Sequence, residues 1–309
     1  MTDWLQDILL LGSFYAALGV GFSLYFGSLR LINLAHGESL TAGAFAALAV
    51  SGVVGKVPAP LATIIMLVVA VAVTAALGPV VEAVAFRRIR DRQPFVLLLT
   101  SVAVSIILRE GLAVAWRDGA NPHPFPDPFE GLRLAWLDLR FAKGLTVVLL
   151  IGASMAVMLV VRHTALGRKL RAVAQDPTAA ALMGINVDRA MAYAFAMASA
   201  LAGLAGCLYG MCYGVVRYDI GLGLGLRGFA AAAIGGINSS YGGLLGGFLL
   251  AVLEISAGRW LPGGSLWRDV VVFGLLIGTL ALRPQGILGT FRRESGVSWV
   301  RRRDGRSVL

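Results

Sequence analysis

His36 and Ser39 lie three residues apart in NLAHGESL, and a histidine near a serine is the first thing to test as base and nucleophile. So short a separation gives poor base–nucleophile geometry, and no oxyanion-hole motif accompanies the pair, so an intramembrane serine hydrolase is the weakest reading. With Asn33, Gly37 and Glu38, His36 forms the densest polar cluster in any apolar stretch of the chain. Two roles suit it, satisfying the backbone of a broken helix or lining a polar pathway. They are compatible, because irregular backbone at membrane depth is tolerated only where it is buried in protein or borders a cavity. Glu254 is the one charge deep in LLGGFLLAVLE. A buried charge in lipid needs a partner or an aqueous face, so helix–helix hydrogen bonding competes there with substrate contact. Glu82 ahead of Arg87 and Arg88, and Arg109 beside Glu110, suit local pairing or snorkelling.

Other chemistry is missing from the sequence. No G-x-x-x-x-G-K-[ST] loop occurs, and the single Gly-Lys pair, Gly55-Lys56, lacks that pattern, so ATP binding by this chain is not expected. His36, His123 and His163 are scattered, without metal-ligand spacing. Cys207 and Cys212 fall five apart in one apolar helix, on different faces, which suits neither a disulfide nor a metal pair.

The elements that must carry these residues are membrane spans. The chain is 58% hydrophobic and only 14% charged, where soluble domains run nearer a quarter charged. Its 39 glycines suit helices that approach closely through small residues. Stretches of about 20 apolar residues are expected at Leu5–Phe26, Leu31–Val50 (interrupted by the Asn33–Glu38 cluster), Leu61–Phe86, Phe95–Trp116, Leu145–Val161 and Ala190–Val215, with a last crossing from near Leu266 to Leu282. The acidic start, MTDWLQD, has no basic n-region and does not read as a signal peptide.

Arginine placement then assigns the sides. The net charge of +10 reflects orientation rather than nucleic-acid binding. With the N-terminus outside, Arg30, Arg87–Arg92 and the loop 162–189 fall inside, while Lys56 and the proline-rich loop 117–143 fall outside. The basic tail, 292–309, is then cytoplasmic. The segment 227–258 must cross an even number of times or not at all. As one helix it would be about 48 Å long, well beyond the hydrocarbon thickness. The runs GFAAAAIGG, INSSYGG and LLGGFLLAVLE place a break, so we expect a re-entrant hairpin of two short or half-length helices turning around Ile237–Gly243. Broken helices of this kind point to a transport path. Candidate lining residues are Asn33, His36, Gly37, Glu38, Gly235, Gly236, Asn238, Ser239 and Glu254. The fold class is therefore an all-α polytopic membrane protein of about eight transmembrane segments.

The loop 162–189 is a polar island. Arg162, Arg168, Lys169 and Arg171 fill its first half, and its second reads as a short helix with Asp176 as N-cap, Pro177 first and Gly184 near the stop. A structured cytoplasmic helix suits a docking surface better than a connector.

Four blocks, in order, resemble the branched-chain amino acid ABC transporter permeases of the LivH type. They are GSFYAALGVGFSLYFGSLRLINLAHGESLTAGAF; VEAVAFRRIRDR with LLLTSVAVSIILRE; LGRKLRAVAQDPTAAALMGINVDR; and GLRGFAAAAIGGINSSYGGLLGGFLLAVLE running on to DVVVFGLLIGTLALRPQGILG. The resemblance spans about Gly12 to Gly289 and implies one transmembrane permease domain over 1–291. It further implies a bacterial inner-membrane importer subunit working with a second related permease, two cytoplasmic ATPases that bind ATP and Mg, and a periplasmic binding protein. Thr178-Ala179-Ala180-x-x-x-Gly184 is similar to the importer coupling motif E-A-A-x-x-x-G, with Thr178 in place of the acid. Coupling residues implied on this basis are Arg168, Arg171, Asp176, Thr178, Ala179, Ala180 and Gly184. INSSYGG departs from the family's commoner turn, which leaves room for a small polar solute other than leucine, isoleucine or valine. The rival reading, an autonomous ion-coupled carrier, requires membrane-embedded carboxylates as relays and gives the docking helix no purpose.

Overall fold

In a computed structural model, residues 2–29, 32–54, 57–90, 92–116, 121–126, 139–264, 266–283 and 285–287 are described. Arg30, Lys56, most of the proline-rich loop and the tail 292–309 lie outside these residues, as does the end of the expected 1–291 domain.

Helix α1 (Thr2–Leu29) is the centre of the bundle, the most deeply buried of its long helices. Its apolar window is 89% buried, whereas that of α4 (Pro94–Ala115) is 11% buried and presents Phe95, Leu99, Ile107 and Val114 outward as a lipid face. The close packing comes from glycine. Lipid tails are as apolar as leucine, so helices gain by van der Waals approach rather than by escaping solvent. On α10 (Ser240–Trp260), a Cβ added at Gly243 or Gly247 would overlap the backbone of α1 at Gly19 or at Ala16.

Helix α2 (His36–Val54) enters after the turn 32–35 and crosses α8 (Val187–Tyr213), where Gly43 lies on the backbone of Gly203. Helix α3 (Ala59–Val81) runs antiparallel to α8, with Gly78 on Phe195 and Thr74 on Gly203. It continues into a π-helical turn, Glu82–Phe86. Helix α5 (Leu139–His163) leads into two short helices, α6 (Ala165–Gln175) and α7 (Pro177–Leu182). Helices α9 (Ile220–Gly235), α10 and α11 (Leu266–Leu282) complete the fold. A two-residue ribbon, β1 (His123–Pro124) against β2 (Val215–Val216), ties the α4–α5 connection to the end of α8.

Among the described residues, seven helices are long and apolar enough to cross a membrane. The shorter α9 and α11 stand beside them, so the expected total of about eight becomes seven long spans and two short helices. The expected hairpin at 227–258 is present but differs in shape. It begins earlier, at Ile220, and turns at Gly236–Ser239. Only α9, with 16 residues and about 24 Å, is short; α10, with 21 residues and about 32 Å, is full length. The run GLGLG, which looks like a loop on paper, is helical, with Gly221 and Gly225 pressed onto α2 at Gly37, where nothing larger fits. The loop expected over 117–143 is also shorter, since α5 reaches back to Leu139. Lys143 is accommodated in that helix by pairing with Asp7 at 3.5 Å.

The two ends of the bundle differ in charge. One carries the turn after the π segment, α6, α7, the α9–α10 turn and the end of α11, and collects Arg87, Arg88, Arg90, Arg92, Arg162, Arg168, Lys169, Arg171, Arg189 and Arg283. The other carries mixed pairs, Asp7–Lys143, Arg217–Asp219 and Arg227–Asp269.

Candidate functional site

The basic end is built around α7. Asp176 leaves the helical conformation, and its Oδ1 accepts from the backbone N–H groups of Thr178 (2.8 Å) and Ala179 (3.0 Å). Pro177 occupies the first helical position, where its missing N–H costs nothing. The far end closes in a Schellman arrangement. Gly184 takes φ +81°, and the Ile185 N–H reaches back to the Ala180 carbonyl at 3.0 Å. Both caps are the ones expected from the sequence. Ala180 is buried in a cluster with Leu170, Val173, Tyr25, Phe86 and Phe195, which anchors the helix to α1, α3 and α8. Thr178 and Ala179 are exposed, and Leu182 and Met183 protrude at 85% and 83% exposure.

Helix α6 packs beneath. Thr164 caps it by accepting from the Gly167 N–H, and Gly167 sits so close to the Val161 carbonyl that any side chain there would overlap it. Leu170 and Val173 face inward, while Arg168, Lys169 and Arg171 face out. Arg171 turns one nitrogen back to the Val161 carbonyl, closing the α5–α6 corner. Arg162 donates to the Tyr241 hydroxyl at 3.0 Å and so ties this corner to the α9–α10 turn. Of the seven residues assigned to coupling, Arg168, Arg171, Asp176, Thr178, Ala179 and Gly184 are exposed, and Ala180 is buried beneath them. The sequence reading missed α6 as a separate helix and missed Leu182 and Met183. Leu182, two residues past buried Ala180 and so about 200° round the helix, is placed outward by periodicity, whereas Met183, three past it, is exposed because α7 ends there.

The nine candidate path residues fall in three places. Asn33, His36, Gly37 and Glu38 form the sealed entry to α2. Asn33 Oδ1 accepts from the Ala35 N–H (3.1 Å), and the His36 N–H donates to the Asn33 carbonyl (3.1 Å), which satisfies the unwound backbone. The His36 ring is fully buried, edge-on to Phe22 and Tyr25 at 5.0 and 5.2 Å, and Gly21 leaves the space it fills. Gly37 meets the backbone of Gly221 and Gly225 on α9. Glu38 accepts from the Ser105 hydroxyl (3.0 Å) and from Thr41 (3.4 Å), and Thr41 in turn accepts from the Gly221 N–H (3.0 Å). This relay joins α9, α2 and α4. Glu254 is therefore not alone as a deep carboxylate, since Glu38 is equally buried.

Gly235, Gly236, Asn238 and Ser239 make the α9–α10 turn. Gly235 packs on the Gly242 backbone, and Gly236 takes φ +115°. Asn238 is exposed, and Ser239 caps α10 by accepting from the Gly242 N–H. The turn is braced by Gly286, packed on Gly236, and by the Ile287 N–H donating to the Ile234 carbonyl at 2.8 Å. Glu254 lies toward the opposite end. It accepts from the Tyr15 hydroxyl (2.8 Å) and faces Arg227 Nε at 3.3 Å, while Arg227 also donates to Asp269 at 2.5 Å. Helix–helix bonding, joining α1, α9, α10 and α11, is what the structure gives Glu254.

A glycine-packed bundle with a capped surface helix between α5 and α8 is an arrangement that comparison with known proteins can place. The family model described as branched-chain amino acid transport system / permease component matches residues 4–280. This chain belongs to that family. It is 31% identical to the high-affinity branched-chain amino acid transport system permease protein LivH of Salmonella typhimurium over 288 residues, 90% of this chain and 92% of the relative. It is 33% identical to the permease protein BraD of the corresponding Pseudomonas aeruginosa system over 293 residues, 91% of this chain and 93% of the relative. The autoinducer 2 import system permease protein LsrC of Klebsiella pneumoniae is 29% identical over 181 residues, 57% of this chain and 52% of the relative. No solved structure matches the chain.

Proposed function

We propose that this permease is the inner-membrane subunit of an ATP-driven importer for branched-chain amino acids or a related small polar solute. The observation that carries the reading is α7, a helix fixed at both caps and at Ala180 yet presenting Leu182 and Met183 to solvent outside the spans. Exposed apolar residues rimmed by cations suit a protein partner, here a cytoplasmic ATPase that binds ATP and Mg. In this reading α6 and α7 face the cytoplasm with the C-terminus, and the N-terminus lies outside, because the arginine-rich end of the bundle is costly to move across the bilayer. Two ATPases, a second related permease and a periplasmic binding protein complete the assembly.

Transport follows from alternating access. ATP binding draws the two α6–α7 surfaces together, and the movement re-packs the glycine contacts around α2, α9 and α10. The polar groups sealed at Asn33, His36 and Glu38, and the turn at Gly236–Ser239, are the portions of the path that this conformer holds shut. Selection resides largely in the binding protein, and similarity to both branched-chain amino acid and autoinducer 2 permeases is consistent with solute varying over a common frame. An ion-coupled carrier is disfavoured by family membership.

The test is affinity purification of tagged protein from native membranes in mild detergent. Recovery of an ATP-binding subunit, lost when 179–184 is replaced by a flexible linker, is the expected result. Solute movement by the chain alone, in ATP-free liposomes under an ion gradient, would overturn it.

A further inference from the structure

Four charges sit where α3 meets α8 at the basic end, and the importer reading gives them no role. The π turn Glu82–Phe86 closes with the Arg87 N–H donating to the Glu82 carbonyl at 2.8 Å, five residues back. A π turn hydrogen-bonds residues five apart along the chain, and such single turns recur at functional sites. Here it joins Arg87 to Glu82. The Glu82 carboxylate, only 2% exposed, is held by Arg87 Nη2 on Oε2 and by Arg90 Nη2 on Oε1, each at 2.8 Å. Arg90 then spends its other terminal nitrogen, Nη1, on Asp188 Oδ1 at 2.8 Å, with Arg87 Nε at 4.0 Å from Asp188 Oδ2.

Asp188 stands in the first turn of α8, two residues after Asn186, whose side chain caps that helix through the Arg189 N–H at 2.9 Å. Gly184 and Ile185 connect this point directly to α7. The network therefore ties the segment that leaves the ATPase-facing helix to the end of α3, beside the tight contact of Gly78 with Phe195. A buried carboxylate is costly without compensation, so Glu82 holds both arginines in place. The four charges sum to zero, and only Asp188 belongs to the coupling segment.

We propose that Glu82 is a positioning residue for energy coupling: through Arg90 and Asp188 it fixes the start of α8 to the end of α3, so that displacement of α7 moves both spans as one body. This rests on the importer reading. Without the clamp, much of the motion of α7 is taken up at Gly184–Asn186, and only the apolar cluster of Ala180 with Phe86 and Phe195 still links α7 to the end of α3.

The test uses the complete importer in proteoliposomes with its binding protein, comparing Glu82→Gln and Asp188→Asn with the unaltered complex. ATP hydrolysis and solute uptake are measured in the same vesicles. Hydrolysis persists, while solute moved per ATP falls at least about fivefold, the lower end of usual coupling energies. Asp188→Glu restores the ratio. A merely structural role would lower assembly, hydrolysis and uptake together and leave their ratio unchanged, which overturns the proposal. Asp188 is half-exposed, so Asp188→Asn decides the matter if Glu82→Gln fails to fold. If the unaltered chain neither assembles with an ATPase nor shows ATP-dependent uptake, the importer reading itself fails, a result distinct from an unchanged ratio in the variants.

Discussion

In the segment from Thr164 to Ile185, polar side chains cap helices or face outward, and apolar Leu182 and Met183 stand exposed beside them. Between α1, α2, α9 and α10 the polar groups are sealed: Glu38 and Glu254 are matched to partners on other helices, the His36 ring is held by packing against Phe22 and Tyr25, and glycines bring the backbones together. The first region is specified locally. Asp176 and Gly184 set the limits of α7 within nine residues, whatever the rest of the chain does. The second is specified only by the assembled fold, since Glu254 is matched by Tyr15, 239 residues away. A surface that must meet a partner keeps its shape by its own caps. A core that must re-pack uses contacts between small residues and a few polar bonds that hold one arrangement without locking it covalently.

The contrast predicts that steric changes hurt the core far more than the surface. Gly246 faces the Ala231 carbonyl and the Gly235 nitrogen of α9, backbone atoms that have nowhere to move. Gly246→Leu should cost about 3 kcal/mol or more by overpacking. Loss of the monodisperse peak in detergent gel filtration is the expected readout, with Gly274→Leu, which enters open space on α11, as the neutral control. Native behaviour of Gly246→Leu would mean that α9 and α10 do not pack as described.

Next in size is the charged tie at the other end. Glu254→Ala leaves Arg227, 22% exposed, with Asp269 as its one charged partner among the described residues, and deprives the Tyr15 hydroxyl of its acceptor. The remaining partner and partial exposure soften the usual penalty for breaking a buried pair, so about 2 kcal/mol is expected. Thermal unfolding in detergent measures it. Tyr15→Phe should show a smaller shift in the same direction, and no shift in either variant would make the tie incidental.

A smaller effect is expected at the α7 cap. Asp176→Ala removes the acceptor of two N–H groups and should cost about 1 kcal/mol, while Asp176→Asn, which keeps an acceptor, should be nearly neutral. Because the cap is local, the loss should show as faster amide exchange confined to 177–184, with the global midpoint almost unmoved. Exchange that spreads into α8 would instead make the two regions one cooperative unit.

These differences follow the line between what the sequence discloses and what it conceals. The Asp-Pro start and glycine stop of α7 are chemistry within one short window, and span limits follow from apolar length, so both could be read directly. The break at Gly236–Ser239 was visible as a run of glycine and serine, but the helicity of GLGLG before it was not, because α2 imposes it. Asn33 could be assigned to satisfying a broken backbone, and it does so. That Glu38 would bond Ser105, or that Glu82 would reach Asp188 through Arg90, depended on helix pairings no local pattern encodes. Local pairing of Glu82 with Arg87 was legible; the extension to α8 was not.

The smallest expected change in stability belongs to the residues with the most distinctive exposure. Leu182 and Met183 touch little in this chain, so replacing both with serine should alter the unfolding midpoint by no more than about 0.5 kcal/mol equivalent. Ala180, one turn away and buried, remains to hold α7 in place. The same double substitution should abolish recovery of the ATPase subunit with tagged permease, because the apolar contact is lost while the helix persists. An Arg168→Ala, Arg171→Ala pair should weaken recovery in a salt-dependent way instead, as expected for exposed charges at a rim. If the serine variant keeps its partner, the exposed apolar pair is not the docking contact, and α6 alone must carry it.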